Sequence, residues 1–323
     1  MTRFATNARR SPTAPLPTRN GVSPSCIVLS PGAWRTIAEF LIQRLPAVSA
    51  EAWSARMQAG DVVDENGIPV TLERGYKAGL RIFYYRALEV EEPIPFEERV
   101  LFQDDHLVVA DKPHFLPVIP SGRYVQETLL VRLKRKLGID TLAPIHRIDR
   151  ETAGLVLFTI QPATRGQYQD LFRQRSVHKH YEAIAAFKPE LRLPLTYRSR
   201  IEEDEVRFMQ MREVDGEANS ETRIELLEVR GALARYGLSP VTGRKHQLRA
   251  HCAALGMPIL NDLIYPTLFA EGSDDYDKPL QLLAKSIEFE DPLSGQRRSF
   301  TSPRSLSLVD AMPDTSQTGA QHA

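Results

Sequence analysis

The stretch His146-Arg147-Ile148-Asp149-Arg150-Glu151-Thr152-Ala153-Gly154-Leu155 is the most informative part of this chain. It sets one carboxylate, Asp149, between two arginines and directly before a Thr-Ala-Gly turn. The apolar run that continues to Ile160 predicts a buried strand, so we expect Asp149 on a loop held by a rigid sheet. A carboxylate beside arginines stays ionised and can act as a nucleophile. The same pattern also fits a surface ion pair in an ordinary turn.

Four blocks of sequence, in order along the chain, resemble one enzyme family. Residues 146–155 resemble the H-R-L-D-x-x-T-S-G-L signature of the RluA-type pseudouridine synthases. The opening strand with its K-P turn, the K-x-Y-x-A strand and the T-G-R-x-H-Q-I-R-x-H block of that family resemble residues 104–113, 179–183 and 242–251. The similarity runs from about residue 97 to residue 300. It implies an RNA pseudouridine synthase, an isomerase that needs neither a cofactor nor a metal.

The resemblance implies roles for four residues. Asp149 corresponds to the nucleophile, and Arg249 corresponds to the arginine that pairs with it and keeps the carboxylate ionised. Tyr181 corresponds to an active-site aromatic residue, whose ring can stack on an extruded uracil and whose hydroxyl can support proton transfer at carbon-5. Arg147 corresponds to the arginine that fills the space left when the target base is flipped out of stacked RNA. As alternatives, Arg249 could contact a phosphate and Tyr181 could be a core residue of the sheet.

Further basic and polar residues in these blocks are candidates for RNA contacts. They are Lys112, His146, Arg150, Arg244, Lys245, His246 and Gln247. Lys112, together with Pro113, could instead brace the loop below the site. His246 and His251 could suggest a metal pair, but the sequence places no third ligand near them, so we predict no metal site.

Three positions depart from the pattern of the family. Ala153 replaces a serine, which removes a hydroxyl but leaves the nucleophile. Phe115 replaces the glycine of a K-P-x-G turn, so we expect this loop to take another conformation and to shape the RNA preference. Asn261 replaces the glycine before Asp262. None of these changes touches the three implied catalytic residues, so the sequence predicts an active enzyme.

Composition limits the other classes of protein. The 323 residues carry 41 basic and 41 acidic side chains, which excludes a simple polycation. The charges are segregated along the chain, however, and basic clusters at 132–136 and 230–251 predict a positive face for a phosphate backbone. Two cysteines are too few for a disulfide framework, and no apolar run is long enough to span a bilayer. The low cysteine content favours a reducing compartment and the N-terminus lacks the apolar core of a signal peptide, so we expect a cytoplasmic protein. Nothing in the sequence demands a dimer, so we expect a monomer.

The N-terminal third predicts a tail and a small separate module. Residues 1–28 are basic and predict a disordered tail, although a transit peptide has a similar composition. Residues 30–90 predict two helices, the second after Ser49, and then a hairpin with an Asn-Gly turn at 66–67. This order is similar to the alpha-L RNA-binding module of ribosomal small-subunit protein four. The first helix lacks the usual basic run, so a packing domain without RNA affinity is the alternative.

The catalytic part is expected at 95–305, after a short linker, and residues 306–323 predict a second disordered tail. Strands are expected at 104–113, 155–160, 181–187, 220–229 and 235–240, and helices at 167–175 and 245–255. The strands crowd together without the regular crossover helices of a parallel sheet. We therefore predict an α+β fold with a mixed, largely antiparallel sheet, and the resemblance implies the same.

The sequence thus predicts an enzyme that isomerises specific uridines in structured ribosomal or transfer RNA, with 23S ribosomal RNA favoured. Two other classes of protein remain open. One is a non-catalytic RNA-binding or ribosome-assembly protein that retains the fold. The other is a carboxylate-dependent hydrolase of nucleosides or glycosides, for which Glu151 is the local candidate for the second acid.

Overall fold

The chain forms two compact units in a computed structural model that describes residues 14–86, 91–204, 210–268 and 274–308. The first unit consists of Met1–Glu91, Ser121–Gln126 and Val131–Asp140. The second consists of Glu92–Pro120, Glu127–Leu130 and Thr141–Ala323. Within the described ranges, no helix is both long and apolar enough to cross a membrane.

The first unit is a small antiparallel sheet with two helices. Its elements are β1 (Ser25–Val28), α1 (Ile37–Arg44), α2 (Ala50–Gln58), β2 (Val62–Asp64) and β3 (Arg81–Tyr84), and the strand order is β1-β3-β2. Both helices begin where the sequence predicts, because the hydroxyls of Thr36 and Ser49 accept hydrogen bonds from N–H groups of the first turn. The core is centred on Trp53, whose ring packs edge-on against Tyr84 at 5.1 Å between centroids.

Two expectations for this unit are wrong. β1 lies inside the segment predicted to be disordered, because its backbone pairs with β3 over four residues; residues 1–13 lie outside the described ranges. The predicted hairpin also lacks its second strand. The turn after Asp64 forms, and the N–H groups of Asp64 and Val70 donate to the carbonyls of Ile68 and Val62, but the pairing is limited to the single Val63–Pro69 bridge. β2 pairs with β3 instead.

The remaining elements belong to the second unit, except for most of α3. They are β4 (Arg99–Gln103), β5 (Leu107–Lys112), α3 (Leu129–Leu137), β6 (Ala143–Pro144), β7 (Ala153–Thr159), α4 (Arg165–Arg173), β8 (His178–Ala186), β9 (Leu195–Glu203), β10 (Met211–Val214), β11 (Ser220–Arg230), β12 (Leu233–Pro240), α5 (Gln247–Ala254), β13 (Leu282–Glu290) and β14 (Arg297–Thr301).

One large sheet organises the second unit. The strand order is β10-β9-β11-β12-β8-β13-β7-β5-β4, with β14 added to β13 and β6 added to β7. Among the strand pairs described, only β7 with β13 is parallel. The predicted α+β class with a mixed, largely antiparallel sheet is therefore confirmed. β7 is buried along its whole length, as its apolar sequence predicts.

The first three residues of the predicted C-terminal tail, 306–308, pack on the sheet. Leu306 and Leu308 are buried in one cluster with Ala153, Ile184 and Leu283. Because burial of apolar surface holds this segment on the sheet, the predicted disordered tail starts too early. Residues 309–323 lie outside the described ranges.

The basic cluster at 132–136 lies on α3, a helix that the sequence analysis did not predict. This part of α3 belongs to the first unit, where Lys134 Nζ donates to Ser23 Oγ at 2.8 Å. Lys134 is buried as a result, whereas Arg135 is exposed. Only part of the predicted positive cluster therefore faces solvent.

Candidate active site

Asp149 lies on the short loop between β6 and β7. The N–H of Thr152 donates to the Asp149 carbonyl at 3.2 Å and closes the turn. Gly154 then adopts φ +109, and a Cβ there would lie 2.3 Å from the carbonyl oxygen of Ala284 in β13. Only glycine fits that conformation and that close approach, so the turn places β7 directly against β13. The Asp149 side chain stays 26% exposed, and its carboxylate is within reach of a ligand.

Arg249 on α5 holds one oxygen of this carboxylate. Its Nη1 donates to Asp149 Oδ2 at 3.3 Å and lies 3.7 Å from Glu151 Oε2, and the arginine side chain is only 1% exposed. Burial alone would lower the pKa of the guanidinium, but the hydrogen bonds and charge of Asp262, helped by Asp149 and Glu151, raise that pKa above its ordinary value. Arg249 is therefore a permanent, buried positive charge beside Asp149.

A further carboxylate, Asp262, fixes the guanidinium. It accepts from Arg249 Nε at 2.8 Å and from Nη2 at 2.6 Å, a bidentate pair, and Oδ1 also accepts the N–H groups of Ile264 and Tyr265. The preceding Asn261 has φ +62, which explains why asparagine can stand in the place of glycine. The sequence alone did not identify Asp262 as a site residue. Its position just after the helix that carries Arg249 was the available signal.

Glu151 is a second carboxylate at this site. Burial would raise its pKa, but the charges of Arg249 and Arg150 outweigh burial and lower the pKa below its usual value. Arg150 Nε donates to Glu151 Oε1 at 3.0 Å. Both carboxylates that face Arg249 Nη1 therefore have a cationic partner.

Tyr181 lies on β8, opposite Leu238 of β12 and Ala284 of β13. Ala284 is also the register partner of Gly154, so the sheet brings Tyr181 close to the Asp149 loop. Burial, and secondly the negative charge of Asp149, raise the pKa of the Tyr181 hydroxyl above its ordinary value. The hydroxyl is therefore protonated at neutral pH and can donate a hydrogen bond or a proton.

His246 joins this site, although the sequence predicts only an RNA contact for it. It is the N-cap residue of α5 and has φ +53. Its Nε2 lies 3.9 Å from Asp149 Oδ1, and its Nδ1 lies 3.3 Å from the hydroxyl of Tyr265. Tyr265, which the sequence analysis did not single out, also has its ring 5.6 Å from the guanidinium carbon of Arg249.

Lys112 is hydrogen-bonded to the main chain on both sides of the site loop. Its Nζ donates to the carbonyls of Pro113 and Arg150, both at 2.9 Å, and the residue is fully buried. Burial lowers the pKa of its ammonium to about 7, against the opposing charges of Glu151 and Asp149. These contacts fit the bracing alternative for Lys112 better than the predicted RNA contact.

The loop at Phe115 does not change its conformation in the way that the sequence predicts. It has φ +66, the left-handed conformation that favours glycine, so this position keeps the backbone that a glycine would adopt. Its ring packs against Phe96 at 6.0 Å and Tyr276 at 5.1 Å between centroids. These aromatic contacts offset the strain of a bulky residue at positive φ.

The His146 side chain makes its contacts within the protein. Its Nε2 accepts the N–H of Leu157 at 3.2 Å, and its ring stacks on Phe172 at 4.7 Å. Burial, with a smaller contribution from the charge of Lys179, lowers its pKa to about 3. The imidazole is neutral and packs against the sheet, so these contacts differ from the RNA contact that the sequence predicts.

Gln247 and Arg150 are likewise engaged by protein groups. The Gln247 side chain is buried, and its amide is hydrogen-bonded to Thr222 Oγ1, Thr242 Oγ1 and the main chain of Glu221 and Arg244. The Arg150 guanidinium binds the Asp274 carboxylate through two hydrogen bonds of 2.8 and 2.7 Å. An RNA contact by either residue would require these bonds to break.

The other three candidates for RNA contacts are exposed. Arg244 Nε donates to a main-chain carbonyl, that of Asn219, at 3.2 Å, and Lys245 Nζ lies 3.3 Å from Glu203 Oε1. Arg147 has neither a hydrogen bond nor an ion pair with any residue in the described part of the chain. Its guanidinium is therefore available for a ligand.

The two histidines considered as a metal pair face different groups. His251 is fully buried and hydrogen-bonds to Ser199, Ser220 and Thr222, whereas His246 faces Asp149 and Tyr265. Across the ranges that the structure describes, no three His, Cys, Asp or Glu residues are arranged to hold a metal ion.

The fold and the site together define a class of protein. It is an α+β protein with a carboxylate on the loop before a buried strand, next to a buried arginine. The family described as RNA pseudouridylate synthase matches residues 106–254. The dual-specificity RNA pseudouridine synthase RluA of Pasteurella multocida is 31% identical over 218 residues, covering 63% of this chain and 92% of that protein. The mitochondrial tRNA pseudouridine(32) synthase of Saccharomyces cerevisiae is 32% identical over 170 residues, which is 52% of this chain and 37% of that enzyme.

Structural similarity points to the same fold. The human RNA pseudouridylate synthase domain containing 1 superposes with a TM-score of 0.54 at 22% identity, covering 67% of this chain and 86% of that one. The chain belongs to the RluA-type family of RNA pseudouridine synthases and is therefore an isomerase that acts on RNA. The resemblance drawn from the four sequence blocks is confirmed, whereas the similarity of the N-terminal module to the alpha-L module stays a prediction.

Proposed function

We propose that this enzyme converts specific uridines to pseudouridine in structured ribosomal or transfer RNA, and that Asp149 is the carboxylate that acts on the target nucleotide. The observation that carries the proposal is the pair formed by Asp149 and Arg249. A partly exposed carboxylate beside a buried, permanently charged arginine is ionised and held in one orientation. Those are the two properties that a carboxylate nucleophile needs.

The reaction is an isomerisation in which atoms and electrons balance within the substrate. The bond between N1 of uracil and C1′ of ribose breaks, the base rotates, and C5 bonds to C1′. C5 then loses its proton and N1 gains one. Asp149 could attack C1′, add to the base, or remove a ribose proton, and all three routes use the same ionised carboxylate. Tyr181 is protonated and can give a proton to N1, while the Asp149 carboxylate, ionised again once the C5–C1′ bond has formed, can take the proton from C5 and return it to Tyr181. The Tyr181 ring also offers a stacking surface for the base.

Arg147 is the residue that we assign to base extrusion. A uridine in stacked RNA must leave the stack before its C1′ and C5 become accessible. Arg147 lies two residues before Asp149, is exposed, and has no partner within the described residues. Its planar guanidinium can occupy the vacated space and hydrogen-bond to the orphaned partner base.

A hydrolase of nucleosides or glycosides fits the site less well. General acid catalysis needs a carboxyl that keeps its proton near neutral pH. Glu151, the only local candidate in the sequence analysis, has a pKa below its usual value because of Arg249 and Arg150. An ionised Glu151 cannot protonate a leaving group, which counts against hydrolysis and in favour of isomerisation.

The RNA class is the finer part of the proposal. The yeast relative carries tRNA in its name and the P. multocida relative is called dual-specificity. We favour 23S ribosomal RNA, as the sequence analysis does, with transfer RNA as the alternative. We place the enzyme in the cytoplasm, where its free thiols Cys26 and Cys252 would stay reduced.

The test is pseudouridine mapping on total RNA from cells that lack the gene, complemented with wild type or Asp149→Asn. Asparagine has nearly the same size as aspartate, so a matching thermal melt shows that the fold is retained. The expected result is one or more pseudouridines lost in the deletion strain and restored only by wild type. Restoration by Asp149→Asn would overturn the role of Asp149, and a map without any change would overturn the proposed substrates.

A further inference from the structure

His246 occupies a conformation that demands an explanation. A residue with a Cβ rarely adopts φ near +53, and it persists there only when the surroundings stabilise it. The side chain makes no capping hydrogen bond to α5, which is the usual role of an N-cap residue. The imidazole instead points between two other groups, the Asp149 carboxylate and the Tyr265 hydroxyl.

The hydrogen bonds around Tyr265 fix the tautomer of this imidazole. The Tyr265 oxygen accepts the main-chain N–H of Met211 at 2.6 Å. Burial raises the pKa of Tyr265 to about 12, so the hydroxyl keeps its proton and is itself a donor. The acceptor in its reach is His246 Nδ1 at 3.3 Å. A neutral imidazole that accepts at Nδ1 carries its proton on Nε2.

The proton on Nε2 faces the carboxylate. Nε2 lies 3.9 Å from Asp149 Oδ1, whereas Arg249 holds the other oxygen, Oδ2, at 3.3 Å. A separation of 3.9 Å is longer than a hydrogen bond, but hydrogen bonds between catalytic groups are often long in free enzymes and shorten in the substrate complex. Burial also lowers the pKa of His246 despite the charge of Asp149, so its donor is neutral and adds no second cation to the site.

We propose that His246 is a positioning residue for the isomerisation, held by Tyr265 so that its Nε2–H hydrogen-bonds to Asp149 Oδ1 in the complex with RNA. Two donors on separate oxygens fix the plane of the carboxylate, whereas Arg249 alone would leave it free to rotate about its bond to the guanidinium. This inference rests on the proposed role of Asp149.

Single-turnover rates at saturating enzyme, measured with the RNA that the mapping identifies, test the inference. His246→Asn keeps a residue that tolerates positive φ but cannot reach Asp149, and it should slow the reaction by about 10- to 100-fold. His246→Gln places an amide N–H near the position of Nε2 and should recover most of that loss. The enzyme concentration for half-saturation should stay within about twofold for both variants, because a positioning role changes the rate rather than the affinity.

Tyr265→Phe supplies the second arm of the test. It removes the group that fixes the tautomer and should slow the reaction by less than His246→Asn does. The double variant should be no slower than His246→Asn alone, because the two residues act through one hydrogen bond. His178→Gln, at an exposed histidine on β8, is the matched control and should react at the wild-type rate. Thermal melts of all variants confirm that each protein is folded at the assay temperature.

The possible outcomes separate this inference from the proposed function. Activity in Asp149→Asn overturns the proposed function, and the inference falls with it. If Asp149→Asn is inactive but His246→Asn reacts at the wild-type rate, only the inference is overturned. Equal losses in His246→Asn and His246→Gln also overturn it, since the amide then makes no difference. Weaker RNA binding without a change in the saturated rate would make His246 an RNA contact, as the sequence analysis expected.

Discussion

Arg249 links the protein core to the chemistry of the site. The Nε and Nη2 edge of its guanidinium is hydrogen-bonded to Asp262, whereas Nη1 donates to Asp149. Because the side chain is 1% exposed, the guanidinium cannot swing away to solvent. The position of the Asp149 carboxylate therefore depends on a carboxylate 113 residues further along the chain, which no local sequence pattern describes.

The Asp262–Arg249 pair gives a prediction that separates stability from activity. Asp262→Ala leaves a buried guanidinium without its bidentate partner and should lower the free energy of unfolding by about 3–5 kcal/mol. Replacing the pair together, Arg249→Met with Asp262→Leu, should restore most of that stability because no buried charge is left unpaired. The double variant should still be inactive, since Asp149 has lost its cation. Urea unfolding and single-turnover rates measure both effects, and an active double variant would contradict this account.

Substitution of Arg147, unlike that of Asp262, is predicted to affect RNA engagement rather than stability. Arg147→Ala should change the free energy of unfolding by no more than about 0.5 kcal/mol, because the side chain is exposed and makes no contact within the described residues. It should weaken productive RNA engagement, seen as a lower single-turnover rate at limiting RNA. Arg297→Ala on β14 is the control, since it removes another exposed arginine. Equal rates for Arg147→Ala and this control would refute the role in base extrusion.

At the scale of elements, the sequence predicted those segments whose signals are local. The helical spacing of apolar residues predicted α1, Ser49 marked the start of α2, and the continuous apolar run predicted β7. β9 was not predicted, although Leu195, Tyr197 and Ile201 alternate with polar residues at the period-two spacing of a half-buried strand. α3 was not predicted, because its basic residues were interpreted as a surface cluster rather than as one side of a helix.

Gly154 allows β7 and β13 to approach each other closely, and substituting it tests how much this contact contributes to stability. Gly154→Ala would place a Cβ 2.3 Å from the Ala284 carbonyl oxygen at φ +109, so overpacking and backbone strain add. We expect a loss of roughly 2–6 kcal/mol in the free energy of unfolding, or failure to fold. Gly295→Ala is the matched control, because that glycine has φ +70 but nothing within 4 Å of the added Cβ, and it should cost only about 1–2 kcal/mol. Equal losses in the two variants would show that the strand contact is unimportant.

At the scale of the whole molecule, the sequence predicted a separate N-terminal module and a catalytic part, but not how the chain divides between them. Residues 121–126 and 131–140 group with the first unit although they lie inside the expected catalytic range. Their assignment rests on tertiary contacts such as that of Lys134 with Ser23, 111 residues apart, which periodicity and turn signals do not report. The residues proposed to be catalytic, by contrast, all lie in the second unit, and they were identified from the family resemblance rather than from any local pattern.

Buried neutral histidines should make the second unit sensitive to mild acid. Burial is the main cause that lowers the pKa of His114 to about 4, of His146 to about 3 and of His251 to about 4. The unfolded chain takes up these protons near pH 6.5, whereas the folded protein resists them, so stability is full above pH 6.5 and falls as the pH drops toward 4. Each histidine adds a slope of up to about 1.4 kcal/mol per pH unit in that window.

His146→Gln isolates one of these contributions. The amide oxygen of glutamine can accept the Leu157 N–H that His146 Nε2 now accepts, but it takes up no proton. Urea unfolding of the wild type should show a decreasing midpoint between pH 7 and pH 5, and His146→Gln should make that dependence less steep, since one of the buried groups that resist protonation is removed. His178→Gln, at an exposed histidine, should leave it unchanged. If His146→Gln keeps the full pH dependence, the acid sensitivity must arise from other groups, and His146 is not held neutral by the fold.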